Sequence, residues 1–330
     1  MRASQLIDWL RQNTLSAVVV LGEGKSALRV ARAFKNESRA RVIVLARNQS
    51  AFEGIDGLRD LDCHSAEALS VSLIQSLLSD DCLMSAIIVS VGSPWIVNEE
   101  VLSIFQGRAL NLHPGSLPGN KGASATSWAL MNQEDSPRVT LQVMEVEIDA
   151  GELILDEELL SGCAASTVSE VSELADQASE RLFARFFNLI KNSDQELPGS
   201  DTLLLPRYFP PLSAEQNGWI DWNWHGSDIA AFIRAFSQPY DGASTFFRGH
   251  RVRIFGARFV EGDVSLHPFT RGLVVGISKD VLRVAVMSGE LHVEKFEIIG
   301  PSVPKIREGD RLHTPQSFLD DAKAFRRKNL

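Results

Sequence analysis

Along the first half of the chain, blocks of apolar residues alternate with mixed ones. Apolar β-rich runs occur at Ala17–Leu21, Arg41–Ala46, Ser85–Val91 and Ala109–Leu112. Between them, near Ser26–Phe34, Ala66–Leu78 and Asn98–Phe105, the apolar positions recur at helical spacing. Near-continuous apolar strands separated by helices predict a parallel sheet covered on both faces. Val139–Met144 and Glu152–Leu155 read as two further strands flanking Glu145–Gly151, and Thr167–Asn192 as a long helix closing this half. Leu6, Ile7, Trp9 and Leu10 also fall at helical spacing.

The texture changes after QELPGSDTLLLPRYFPPLSAEQNG, whose Pro, Gly, Ser and Asp content predicts a linker running over a surface. Ser227 is placed to cap a helix whose Ile229, Phe232, Ile233 and Phe236 line one face. Short strand-like runs follow at Ala243–Phe247, Val252–Phe259, Gly272–Ile277, Val281–Val286 and Leu291–Ile299. Their spacing predicts a small antiparallel barrel. The fold class is thus α/β: a Rossmann-like, mostly parallel sheet, with a small OB-like antiparallel β-barrel C-terminal to it. The domain boundaries expected are 1–195 for the first, 196–212 for the linker and 213–330 for the barrel.

A chain of 330 residues is long enough for two such domains. No apolar run approaches the roughly 20 residues of a membrane helix. Asp8 and Arg11 interrupt any signal-peptide core, so no membrane partner and a cytoplasmic location are expected. Cys63, Cys82 and Cys163 show neither metal-ligand nor redox spacing; they are expected to be buried small hydrophobes, and no metal is expected. Residues 1–210 carry 17 Lys and Arg against 28 Asp and Glu, a net of −11, while the remainder carries 16 against 14. So acidic a first half is poorly suited to gripping a phosphate backbone and argues against a nucleic-acid partner.

Two stretches invite a chemical reading. GEGKS, Gly22–Ser26, follows a strand and opens a helix, like the end of a phosphate loop. Val19 stands where that loop needs its first glycine, so a tight strand-to-helix turn is the better reading. NLHPGSLPG, Asn111–Gly119, ends an apolar strand; residues two apart share a face, so Asn111 and His113 project together. Open α/β sheets place ligands at the strands' carboxyl edge. In EVEIDAGE, Asp149 precedes Ala150 and Gly151, small residues that permit close backbone approach to a ligand. An amide donor, an imidazole and a carboxylate meeting there would form an acid/base site, although a lone His beside an apolar strand is more often structural.

NLHPGSLPGNKG followed by VTLQVMEVEIDAGELI resembles the formyltransferases that use 10-formyltetrahydrofolate. WIDWNWHGSDIAAFIRAFSQPYDGASTFFRGHRVRIFGARF is similar to the barrel appended to methionyl-tRNA and aminoarabinose formyltransferases. The resemblance implies Asn111, His113 and Asp149 as catalytic residues and 10-formyltetrahydrofolate as co-substrate. It implies a pterin slot at residues 91–99, with Trp95, Ile96 and Val97, completed by Val143, Glu147 and Asp149 from the loop 143–149. Ser116, Lys121 and Trp128 are the implied acceptor-binding residues. Trp95 and Trp128 also fit plain core positions. Three departures stand out. Ser116 lies one place later than the family's loop serine, which puts its role in doubt; Ala125 replaces a common Pro; and Gln142 stands where relatives carry His or Met.

In an acyl transfer of this kind, the Asn111 amide and protonated His113 would hold the oxyanion while Asp149 orients the imidazole or a water. The acceptor is expected to be an amino-deoxysugar carried on a nucleotide. The −11 balance argues for it, as do the lysine-free ARNQSAFEGIDGLRD, where the tRNA branch has a basic insertion, and Trp128, which the sugar branch shares. Charged initiator tRNA is the runner-up. A non-catalytic carbohydrate- or nucleic-acid-binding protein is the alternative from another class, and a formyl-folate hydrolase a further one.

Overall fold

The structure is a computed structural model describing residues 1–53, 61–160, 167–192, 194–195, 197, 205–262 and 266–324. Cys163, residues 54–60 and residues 198–204 of the expected linker lie outside the described residues. By contacts the chain divides into two compact units. The first comprises Met1–Gly122, Pro137–Leu160 and Glu173–Tyr208, and the second Ala123–Ser136, Ser161–Ser172 and Phe209–Leu330. This division differs from a cut in the linker. The helix Ala125–Met131 groups with the C-terminal residues, where Ser127 Oγ donates to the Ala235 carbonyl at 2.9 Å.

The first unit holds β1 (Ala17–Gly22), β2 (Arg41–Ala46), β3 (Asp62–Ser65), β4 (Ile87–Val91), β5 (Ala109–His113), the two-residue β6 (Lys121–Gly122), β7 (Arg138–Val143) and β8 (Leu153–Glu158). Its sheet runs β3-β2-β1-β4-β5-β7-β8, parallel through β5 and antiparallel after it. Every residue of β1 is buried, as continuous apolar strands require when both faces are covered. Arg108 is 3% exposed and donates to the carbonyls of Ala86 and Leu83, with its guanidinium 5.0 Å from the Trp9 ring. That contact ties the helix Ala3–Gln12 to the core. Gly22 is needed for packing: a Cβ there would lie 2.2 Å from the Val91 carbonyl oxygen. The helix Gly24–Glu37 starts two residues later and leaves Lys25 exposed, as a plain strand-to-helix turn would.

The second unit begins with Phe209 of β9 (Tyr208–Phe209) and carries β10 (Ala243–Phe247), β11 (His250–Glu261), β12 (Val274–Ser278), β13 (Val281–Val286) and β14 (Gly289–Ile298). They form an antiparallel sheet in the order β10-β11-β14-β13-β12. The segment Arg311–His313 links its two ends. His313 and Phe246 exchange backbone bonds at 2.9 and 3.0 Å, and the Leu312 N–H donates to Gly272 at 2.8 Å. This closing segment has no apolar alternation and was not expected from sequence.

Other expectations need correcting. The helix predicted from Ala66 starts at Val71, because Ser70 Oγ accepts the Leu73 N–H and caps it there. His225, not Ser227, caps the helix Gly226–Ala235; its Nδ1 accepts the Ser227 N–H at 3.3 Å. Cys63 and Cys82 are half-buried rather than buried. Among the described residues no helix is long and apolar enough to cross a membrane.

Candidate active site

Antiparallel pairing of β5 with β7 sets the site. Asn111 lies opposite Gln142, and His113 opposite Thr140. The Thr140 hydroxyl donates to the Gly115 carbonyl at 2.7 Å and accepts the Leu117 N–H at 3.4 Å, holding the loop that leaves His113. After β7 the chain departs beside the start of β5, where the Met144 N–H donates to the Ala109 carbonyl. It then folds back, and Asp149 meets Asn111 and His113.

Three N–H donors converge on that carboxylate. Asn111 Nδ2 reaches Oδ1 at 2.9 Å, Gln142 Nε2 reaches Oδ1 at 3.2 Å, and the Gly122 backbone N–H reaches Oδ2 at 2.8 Å. His113 Nδ1 stands 3.5 Å from Oδ2, with both side chains nearly buried (5% and 7% exposed). Its Nε2 lies 2.7 Å from the Asn120 carbonyl, which can only accept, so Nε2 carries a proton. A second proton on Nδ1 would face the carboxylate. Asn111 gives Asp149 one N–H, and its other has no partner among the described residues.

Asp149 adopts φ 50°, and Gly151 follows at a close approach between neighbouring strands. A Cβ on Gly151 would sit 1.6 Å from the Val143 carbonyl oxygen, so the β7–β8 turn itself requires a glycine here. Gln142 is 1% exposed, and its Oε1 has no donor among the described residues. An orphaned buried acceptor of that kind costs about 1–3 kcal/mol.

Of the remaining candidates, Val97 (7% exposed) and Val143 (0%) bury their side chains in the core. Only their backbones remain to meet a ligand. Trp95 packs partly buried against the core and donates Nε1–H to the Glu67 carbonyl at 3.1 Å. Ile96 is 58% exposed. Glu147 is exposed, with Lys121 Nζ 4.0 Å from its carboxylate. Ser116 is buried, and its carbonyl accepts the Asn120 N–H. Trp128 belongs to the second unit, where its Nε1–H donates to the Pro210 carbonyl. There it lines a cavity of about 270 Å³ with Trp219, Trp224, Phe232 and Leu319. The Asn120 carbonyl and Gly122 N–H escaped sequence reasoning because backbone groups leave no residue-type signal. Gln142 was singled out only as a departure.

In this mostly parallel α/β sheet, β5 presents an amide and an imidazole to a carboxylate from the loop after β7, a constellation that fits group transfer. The model of the family described as "Formyl transferase" matches residues 2–185, and that of "Formyl transferase, C-terminal domain" matches residues 213–307. The chain belongs to the formyl transferase family and is a formyl-transferring enzyme. It is 30% identical over 222 residues to the methionyl-tRNA formyltransferase of Moorella thermoacetica, covering 67% of this chain and 69% of that one. To the methionyl-tRNA formyltransferase of Alkaliphilus oremlandii it is 25% identical over 223 residues, with the same shares. Its fold is similar to that of the N-formyltransferase from Helicobacter canadensis solved with folinic acid and dTDP-3-aminofucose. That likeness has a TM-score of 0.61 at 16% identity, over 85% of this chain and 99% of the other. A sugar 3N-formyltransferase solved with dTDP and 5-N-formyl-THF gives 0.59 at 16%, over 86% and 98%.

Proposed function

We propose that this enzyme moves a formyl group from 10-formyltetrahydrofolate to the amine of a nucleotide-linked amino-deoxysugar. The observation that carries the transfer is the convergence of Asn111, His113 and Asp149. Such a donor set fits a formyl carbonyl. The Asn111 N–H that has no partner among the described residues is suited to stabilise oxygen as it gains charge, as is His113 when Nδ1 carries a second proton, and Asp149 is suited to accept the proton the amine loses. Ile96 and Val146, at 58% and 56% exposed, offer apolar surface to the pterin. The amine must be neutral to attack; Asp149 takes its proton directly or through one water, and that proton passes to the folate nitrogen as its bond to the formyl carbon breaks and tetrahydrofolate leaves.

The net charge of −11 over residues 1–210 supports a small acceptor bearing few phosphates. So does the fold likeness to enzymes solved with dTDP-3-aminofucose or with dTDP. A second reading, methionyl-tRNA formyltransferase, is favoured by the curated relatives. In the second unit, Phe269 is 78% exposed with the Arg311 guanidinium 5.1 Å from its ring, a pairing suited to nucleic acid. The deciding assay offers 10-formyltetrahydrofolate with a panel of nucleotide-linked aminosugars, with charged initiator tRNA, and with no acceptor. Turnover on a sugar supports the proposal; turnover on tRNA alone replaces it; folate hydrolysis indifferent to acceptor indicates a hydrolase.

A further inference from the structure

Gln142 is a buried amide whose two ends fare differently. Nε2 donates to Asp149 Oδ1, while Oε1 meets no donor among the described residues. Methionine has a similar volume and would leave nothing unpaired at this 1%-exposed position. Packing alone therefore gives no reason for an amide here, and the explanation must lie at the Nε2 end.

Asp149 needs such a hold. It follows Glu145, Val146 and Glu147, all exposed, and sits at a positive φ. Its Oδ1 has two side-chain donors, Asn111 at 2.9 Å and Gln142 at 3.2 Å. In the proposed reaction the Asn111 amide has a second task, offering its other N–H to the formyl carbonyl. Gln142 is anchored on β7 between Asn111 and Leu153 in the strand register, and among the described residues its Nε2 donates to Asp149 alone.

We propose that Gln142 is a positioning residue: its amide keeps the Asp149 carboxylate in place while Asn111 engages the substrate. The inference rests on Asp149 being the proton acceptor of the reaction. Its effect belongs to turnover rather than to ground-state binding, because nothing it touches is substrate.

The test compares full-length Gln142→Met, Gln142→His and Asp149→Ala with the parent. The assay uses 10-formyltetrahydrofolate and whichever aminosugar or tRNA acceptor turns over fastest. Gln142→Met, which keeps the volume and loses the donor, should lower kcat about tenfold or more, because misplacing a reacting group is costly. Both KM values should stay within about twofold, and Tm should hold or rise, the orphaned acceptor being gone. Gln142→His, which returns an N–H, should recover most of the loss. Unchanged kcat in Gln142→Met overturns the proposal, as does a fall in kcat that tracks a lowered Tm and is not recovered by His. Asp149→Ala with near-parental turnover overturns the reading of Asp149 itself, and so separates that failure from a failure confined to Gln142.

Discussion

At the scale of single residues, the site makes two opposite demands on substitution. His113→Ala and Asp149→Asn should each lower kcat by about 100-fold or more, since each removes an interaction that strengthens as charge develops. The fold should survive, because neither residue is part of the apolar core. Near-parental turnover in either purified variant would remove it from the mechanism. Lys25→Ala should leave kcat and both KM values unchanged, because Lys25 is exposed and Val19 lies inside β1 where a phosphate loop needs glycine. A large rise in nucleotide-substrate KM would reinstate GEGKS as a phosphate site. Asn111 and His113 were legible because strand periodicity puts them on one face, and Asp149 because the family pattern places it. That the turn itself requires Gly151 was not legible, since sequence does not show that a Cβ there would meet the Val143 carbonyl of the chain itself.

At the scale of elements, the long helix Val168–Lys191 is pinned to strand β8 through Glu157. Arg181 Nε and Arg185 Nη1 approach its carboxylate at 2.9 and 2.7 Å. Burial pushes this carboxyl up, but hydrogen bonds and charge from the two arginines outweigh burial and hold it below its usual range. A lowered folded value means the contribution is fully present above the unfolded pKa and is lost as pH falls through the folded one. Glu157→Gln should therefore cost about 1 kcal/mol at neutral pH, a modest figure because the arginines are part-exposed and screened. The deficit should close as pH drops below the ordinary carboxylate range. Chemical denaturation at pH 7 and near pH 3 measures this, and an equal deficit at both would show that the lost contribution is packing. This helix and the strands β1, β2, β4 and β5 were readable as apolar runs of the right period. Asp62–Ser65 was not, because DCHS has no apolar pattern: β3 is an edge strand held by its parallel ladder to β2 and by ion pairing of Asp62 with Arg41.

At the scale of the whole molecule, charge rather than fold separates the two acceptors. Both readings place the same constellation on the same sheet, and likenesses to tRNA- and sugar-modifying enzymes point in different directions. Salt dependence discriminates because it counts phosphates. Each phosphate neutralised on a nucleic acid lowers log K by about 0.7–0.9 per unit log salt, so a tRNA held at several phosphates gives a steep slope. A nucleoside-diphosphate sugar presents only two phosphates and should give a shallow one. With a net of −11 over residues 1–210, multiple phosphate contacts there would have to overcome repulsion rather than exploit attraction. The measurement is kcat/KM for charged initiator tRNA and for a panel of nucleotide-linked aminosugars at two salt concentrations. The expected result is formylation of a sugar, with a slope no steeper than two phosphate contacts allow. Efficient formylation of the tRNA with a steep slope, and of none of the sugars, would assign the barrel's exposed Phe269 and Arg311 to nucleic acid and make this enzyme a tRNA formyltransferase with an acidic catalytic half.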